Sequence, residues 1–168
     1  KDLDTAIQTM MSFDRGSTWH YLKAPTKDSN GVPIKCVGSC SLHLRGLTDT
    51  SNNPIYSSKS AVGIIMGVGN VGTHLSEKQN EVNTYFSRNG GLNWFEVKKG
   101  SHIYEIGDHG ALIVIAEDTG PTNKIHFTWD EGLTWTEIQI SDEPFDITNI
   151  IIEPSNMAQR FIVYGEEE

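Results

Sequence analysis

The chain has 168 residues, of which 37% are hydrophobic and 9% aromatic, and a formal net charge of −9, enough apolar material to fill the core of one ordinary domain. No apolar run approaches the roughly 18 to 20 residues that cross a bilayer, and the opening Lys1-Asp2-Leu3-Asp4 lacks the apolar core of a signal peptide, so the chain is expected to be soluble. Its 13 Lys and Arg are dispersed among 22 Asp and Glu, which argues against nucleic acid or an anionic membrane surface as a partner and suits a cationic peptide better.

An apolar run at 6–11 leads into Ser12-Phe13-Asp14-Arg15-Gly16-Ser17-Thr18-Trp19, and His20-Tyr21-Leu22 alternates after it. That order predicts strand, turn, strand. Cys36 and Cys40 follow, four positions apart in a stretch of Gly and Ser that reads as a loop. Their spacing permits a small local disulfide and equally leaves a pair of free thiols open. A zinc site on Cys36, Cys40 and His43 lacks the fourth ligand that a structural site needs, so no metal is expected. No glycosylation sequon occurs to indicate the compartment.

After a polar stretch at 48–60, an apolar run at 61–66 enters Gly67-Val68-Gly69-Asn70-Val71-Gly72. This matches the dinucleotide fingerprint in form, but the fingerprint works only where a helix starts at the glycines within a βαβ unit. The residues at 73–80 are polar and offer no such helix. The expected structure is a strand ending in a glycine-rich turn, with no cofactor.

A second run at 82–86 leads to Ser87-Arg88-Asn89-Gly90-Gly91-Leu92-Asn93-Trp94, followed by Phe95-Glu96-Val97. Strands are then expected at 102–106, 111–117 and 124–128, with turns at 107–110 and 118–121. A third segment follows, Thr128-Trp129-Asp130-Glu131-Gly132-Leu133-Thr134-Trp135, and an alternating strand to 140. All three segments obey (Ser/Thr)-x-(Asp/Asn)-x-Gly-x-(Thr/Asn)-Trp. The four best-kept positions should match by chance on the order of once per hundred thousand starting points, so the repeat is real.

The chemistry of each box is that of a turn. A short Asp or Asn side chain (Asp14, Asn89, Asp130) accepts from backbone N–H groups ahead of it, and Gly16, Gly91 and Gly132 can take positive φ. The ring of Trp19, Trp94 or Trp135 is expected to fold beneath its hairpin. The structural box residues are therefore Ser12, Asp14, Gly16 and Trp19; Ser87, Asn89, Gly91 and Trp94; and Thr128, Asp130, Gly132 and Trp135. Trp94 and Trp135 stand 41 residues apart, the length of one four-stranded propeller blade. Trp19 and Trp94 stand 75 apart, read as one blade with long insertions. Strands at 147–153 and 160–164 open a further blade, so the chain is expected to begin and end inside blades.

These boxes are Asp boxes, also called BNR repeats, which occur in sialidases, some glycosidases and sortilin-type receptors. The segment from Gln8 to Trp19, Cys40-Ser41-Leu42-His43-Leu44, Ala61-Val62-Gly63-Ile64-Ile65, Gly69-Asn70-Val71-Gly72 and Gly110-Ala111-Leu112-Ile113-Val114-Ile115-Ala116 stand in the same order in the sortilin family of vacuolar-protein-sorting receptors. Over nearly its whole length the chain resembles that family, its fungal members in particular. Asn89 and Asn93 stand where the family usually has Asp and Thr. The resemblance implies an all-β partial propeller of about four blades, residues 1–168 being one segment of a ten-bladed ring. It implies a disulfide between Cys36 and Cys40 in an oxidising lumen.

The function it implies is that of a luminal module binding propeptides or peptide segments of soluble vacuolar hydrolases, in the lumen of late Golgi, endosome and vacuole. Membrane attachment would come through parts absent from this chain. A segment cut from a ring is expected to self-associate or to pair with the missing blades. No catalytic residue is expected, and no motif here matches the family's ligand contacts, so the ligand-binding residues stay unassigned. The alternative is a sialidase- or glycosidase-like propeller. A sialidase requires three arginines about the substrate carboxylate with a tyrosine nucleophile and a glutamate partner, whereas Arg15 and Arg88 lie inside box turns, leaving Arg45 and Arg160. Among the six histidines, His43, His102 and His109 are candidates for endosomal pH sensing, against the plainer reading of surface or turn positions, which the sequence favours.

Overall fold

A computed structural model describes residues 6–46, 55–76 and 78–166. The polar stretch expected at 48–60 lies outside the described residues as far as residue 54. The chain forms twelve strands: β1 Met10–Met11, β2 His20–Tyr21, β3 Ser41–Leu44, β4 Ile65–Gly72, β5 Asn83–Ser87, β6 Phe95–Lys99, β7 His102–Gly107, β8 Leu112–Glu117, β9 Lys124–Thr128, β10 Thr136–Gln139, β11 Asp146–Ile152 and β12 Phe161–Glu166. They make two complete antiparallel four-stranded sheets, β3-β4-β5-β6 and β7-β8-β9-β10, flanked by the two-stranded β1-β2 and β11-β12. No described helix is long and apolar enough to cross a membrane.

The sheets are stacked face to face in chain order, and each seam between them is a hydrophobic cluster. Leu22 and Met11 pack with Leu42, Leu44, Tyr85 and Trp94 at the first seam. Met66, Phe86 and Val97 meet Ile106, Ile113, Ile115 and Trp135 at the second. At the third, Ile103, Leu112, Val114 and Ala116 meet Ile147 and Ile150. Period-two alternation produces this arrangement, because neighbouring residues of one strand point to opposite faces. Tyr85 therefore serves the first seam and Phe86 the second. At the third seam the first strands lie closest together, with β11 against β7 and β8. Sheets that converge at their first strands and splay at their last are the blades of a propeller, here an open run of them.

One expected element differs. The glycine-rich stretch after residue 66 is not a turn: Gly67, Gly69 and Gly72 lie within β4, Gly69 and Gly72 paired to β3 and Gly67 to Tyr85 of β5. A Cβ on Gly69 would collide with the carbonyl of His43, and one on Gly67 would press on the Leu44 side chain at 3.0 Å. The glycines permit close approach of two strands.

Candidate functional site

The three boxes fold alike because their polar atoms satisfy one another locally. In the first, Ser12 Oγ accepts from the Gly16 N–H at 2.7 Å and donates to Asp14 Oδ1 at 2.9 Å, while Asp14 receives the Thr18 N–H at 2.8 Å and hydroxyl at 2.7 Å. In the third, Thr128 and Asp130 repeat this, with the Thr134 N–H at 2.8 Å and hydroxyl at 2.6 Å. In the second, Asn89 Oδ1 receives the Asn93 N–H at 2.9 Å and Ser87 Oγ receives Gly91 at 2.8 Å. The two departures from the family pattern keep the turn and remove the hydroxyl bond to the second oxygen. Thr18 holds Asp14 at about 2, first through its N–H and then its hydroxyl, and Thr134 does the same for Asp130, hydroxyl first. Gly16, Gly91 and Gly132 all take positive φ, as do Arg15, Gly90 and Glu131 just before them.

Burial of the indoles is not alike. Trp94 is 4% exposed and donates to the Gly91 carbonyl at 3.0 Å, Trp135 is half-buried, and Trp19 is 56% exposed although it donates to Gly16 at 3.1 Å. The expectation of three buried rings fails at Trp19. Its cause is an offset: Trp94 packs on the β1-β2 side and Trp135 on the β3–β6 sheet, so each ring is covered by the sheet that precedes it in the chain. No described sheet precedes β1.

The long connection from β2 to β3 carries Cys36 and Cys40, joined as a disulfide. Its earlier part is tied down at residues 26–34. Asp28 Oδ1 accepts from the Asn30 and Val32 N–H groups, and Ile34 donates to Thr26. Ser29 donates through N–H and hydroxyl to Glu96 of β6, both at 3.2 Å. The Glu96 side chain is only 2% exposed and also takes Lys99 at 2.6 Å and Asn83 at 3.1 Å. Sequence reading missed Glu96, although a signal existed: it stands two residues past its box tryptophan, as Glu137 does past Trp135.

A second, half-buried junction joins three sheets. Glu105 of β7 accepts from the Tyr56 hydroxyl at 2.9 Å, the Asn156 amide at 3.2 Å and the Ile106 N–H at 2.9 Å. Burial pushes its carboxyl above the ordinary value. No spacing in the sequence links these residues.

The histidines correct the surface reading. His43 and His102 are buried, at 1% and 4% exposure. His43 Nδ1 accepts the Thr9 N–H at 3.1 Å, which fixes the neutral tautomer with Nε2–H facing the Gly72 carbonyl at 3.1 Å. His102 lies against Thr84 at 2.9 Å in the second seam, and burial lowers both imidazoles below their ordinary value. His109 is an exposed turn residue with φ of 56°. The four arginines sit on separate elements: Arg15 and Arg88 in boxes, Arg45 after β3 with its guanidinium on Gln79, and Arg160 before β12. Among the described residues no group of three or more His, Cys, Asp or Glu is placed to hold a metal ion.

Comparison with known proteins points in one direction. Residues 1–150 match the Sortilin-Vps10 family model, described as sortilin, neurotensin receptor 3. A relative named vacuolar protein sorting/targeting protein 10 from Talaromyces stipitatus is 37% identical over 99% of this chain, and its namesake from Laccaria bicolor is 41% identical over 95%. That of Debaryomyces hansenii is 35% identical over 96%. The chain spans only 11% or 12% of the length of these relatives.

Proposed function

The chain belongs to the Sortilin-Vps10 family, and from that membership we propose that it is a luminal ligand-binding segment of a sorting receptor for soluble vacuolar hydrolases. The cargo feature recognised is a propeptide or another peptide segment, taken up in the late Golgi and released toward the endosome and vacuole. The observation that carries this reading is likeness to vacuolar sorting proteins along nearly the whole chain. Members of the family are sorting receptors rather than enzymes. Attachment to the membrane belongs to a single span elsewhere in the receptor.

The architecture supports a segment of a larger ring. Trp19 and Tyr21 are exposed at one end of the stack, and Ile162 and Tyr164 at the other. These apolar residues occupy the register that is buried at the inner seams, so further blades fit against both ends. The test is binding of a fluorescently labelled hydrolase propeptide to the complete luminal region of the receptor. Saturable binding that unlabelled propeptide displaces is expected. No displaceable binding would end the cargo reading.

A further inference from the structure

Three connections in this chain do the same topological work, carrying the last strand of one sheet to the first strand of the next. From β6 to β7 the chain needs only residues 100–101, and from β10 to β11 only 140–145. From β2 to β3 it uses residues 22–40. The repeat does not require that length, and long ordered connections on a rigid scaffold are where binding surfaces are usually built.

The extra residues enclose something. Residues 23–27 form one wall and residues 93–95, the exit of the second box, form the other, around a cavity of about 310 Å³. That is at the lower end of the range for ligand sites. Trp94 is held in place by its bond to Gly91, while Phe95 is 44% exposed and Pro25 faces the same space. Lys23 and Lys27 contribute the cations of the lining. Lys78, Lys99 and Lys124 each pair with a carboxylate, whereas neither Lys23 nor Lys27 does among the described residues. Two unneutralised ammonium groups therefore flank an aromatic cavity in a chain of net charge −9. The Asn93 side-chain amide likewise has no hydrogen-bond partner among the described residues.

The wall is ordered before any ligand arrives. Lys27 bridges Pro33, Asp28 pairs with Lys99 at 3.0 Å, and Ser29 is bound to the buried Glu96. Preorganisation of this kind lowers the cost of binding.

We propose that this groove binds an acidic peptide segment of a protein partner, its carboxylates on Lys23 and Lys27 and an aromatic side chain against Trp94, Phe95 and Pro25. The charge is complementary and the apolar floor adds what a bare anion cannot use. The site is independent of the cargo reading, because it takes an anionic ligand at the outer end of one sheet and stands or falls whether or not propeptides bind elsewhere in the receptor.

The probe is a blocked peptide of sequence EEFEE, titrated into the isotope-labelled chain at low salt and followed by amide and indole shifts. Perturbations should centre on residues 23–27 and 93–95. Affinity should fall at least about tenfold for QQFQQ, at least about fivefold for EEAEE, and at least about tenfold in the Lys23→Glu/Lys27→Glu variant, with the unfolding midpoint unchanged. Should that variant fold poorly, Lys23→Gln/Lys27→Gln is expected to show the same loss in a smaller amount. Absence of EEFEE binding, equal binding by either lysine variant, or perturbations centred on another face would overturn the proposal. EEAEE binding as tightly as EEFEE would also overturn it, by reducing the groove to a simple anion site.

Discussion

The first and second boxes are the same turn in two settings. Each has its hydroxyl-to-glycine bond, its Asp or Asn bond four residues ahead and its indole bonded to the box glycine, yet Trp19 is 56% exposed and Trp94 only 4%. The turn is local and needs no neighbour. Burial of the ring is not local, because it is supplied by the preceding sheet. A box therefore specifies a hairpin by itself and becomes a strong element of the core only when a sheet lies before it.

The largest test of that contrast is truncation of the rings. Trp94→Ala should cost about 3 to 5 kcal/mol in denaturant unfolding, and Trp19→Ala less than about 1 kcal/mol. Equal losses would break the comparison. The glycines sharpen it further. Both Gly91 and Gly16 sit at positive φ, but a Cβ on Gly91 would meet Met11 Sδ at 2.4 Å whereas one on Gly16 finds its nearest atom at 3.8 Å. Gly16→Ala should cost about 1 to 2 kcal/mol from backbone strain alone, and Gly91→Ala at least about 1 kcal/mol more.

A finer test compares the second box with the third, where the buried Trp135 Nε1 has no partner among the described residues. Trp94→Phe gives up a hydrogen bond and should cost about 1 kcal/mol more than Trp135→Phe, which removes an unsatisfied donor. Acid separates the boxes next. Asp14 and Asp130 titrate at about 2 in the fold, below their unfolded value, so the stability they add is present above about pH 4 and is lost as pH falls toward 2. Asn89, a neutral amide, does not ionise over this range. Asp14→Asn and Asp130→Asn should each flatten the acid limb of an unfolding-midpoint titration, and an unchanged limb in the double variant would contradict the bonds described.

The smallest effect concerns the segment leading into the first box, which is tied to the β3–β4 pair through His43. The folded imidazole is held neutral, with its affinity for a proton lowered by burial. The unfolded state takes up the proton first, so stability is full above about pH 6.5 and declines below it. His43→Gln should remove that component of the slope and leave protection of the Trp94 indole against hydrogen exchange unchanged.

What was legible in the sequence is what the chain decides locally. Box motifs, strand alternation and the 41-residue spacing of Trp94 and Trp135 required no knowledge of neighbours, and the second sheet follows the expected strands to within a residue or so. Exposure of Trp19 was illegible because the covering sheet is a tertiary matter. The glycines of β4 misled for a related reason, since a glycine chosen for close strand approach looks like a turn until its partner is known. His43 and His102 look polar and external, and become core residues only because Thr9, Gly72 and Thr84 complete their hydrogen bonds. The groove beside Trp94 has no periodicity at all, as segment 23–34 is shaped by Asp28, Ser29 and Glu96 rather than by a repeat.

The sheet-to-sheet offset bears on how this molecule should come apart. Side chains of one sheet are completed by the sheet before it, so free energy resides in couplings between neighbours, as in a one-dimensional array. An open row has one coupling fewer than it has units, and the two terminal units each hold on by a single coupling. Closing the row into a ring restores the missing coupling and abolishes the ends together. Fraying should therefore start at β1-β2 and β11-β12 while the two complete sheets stay protected, and ring closure should turn gradual melting from the ends into a single cooperative event.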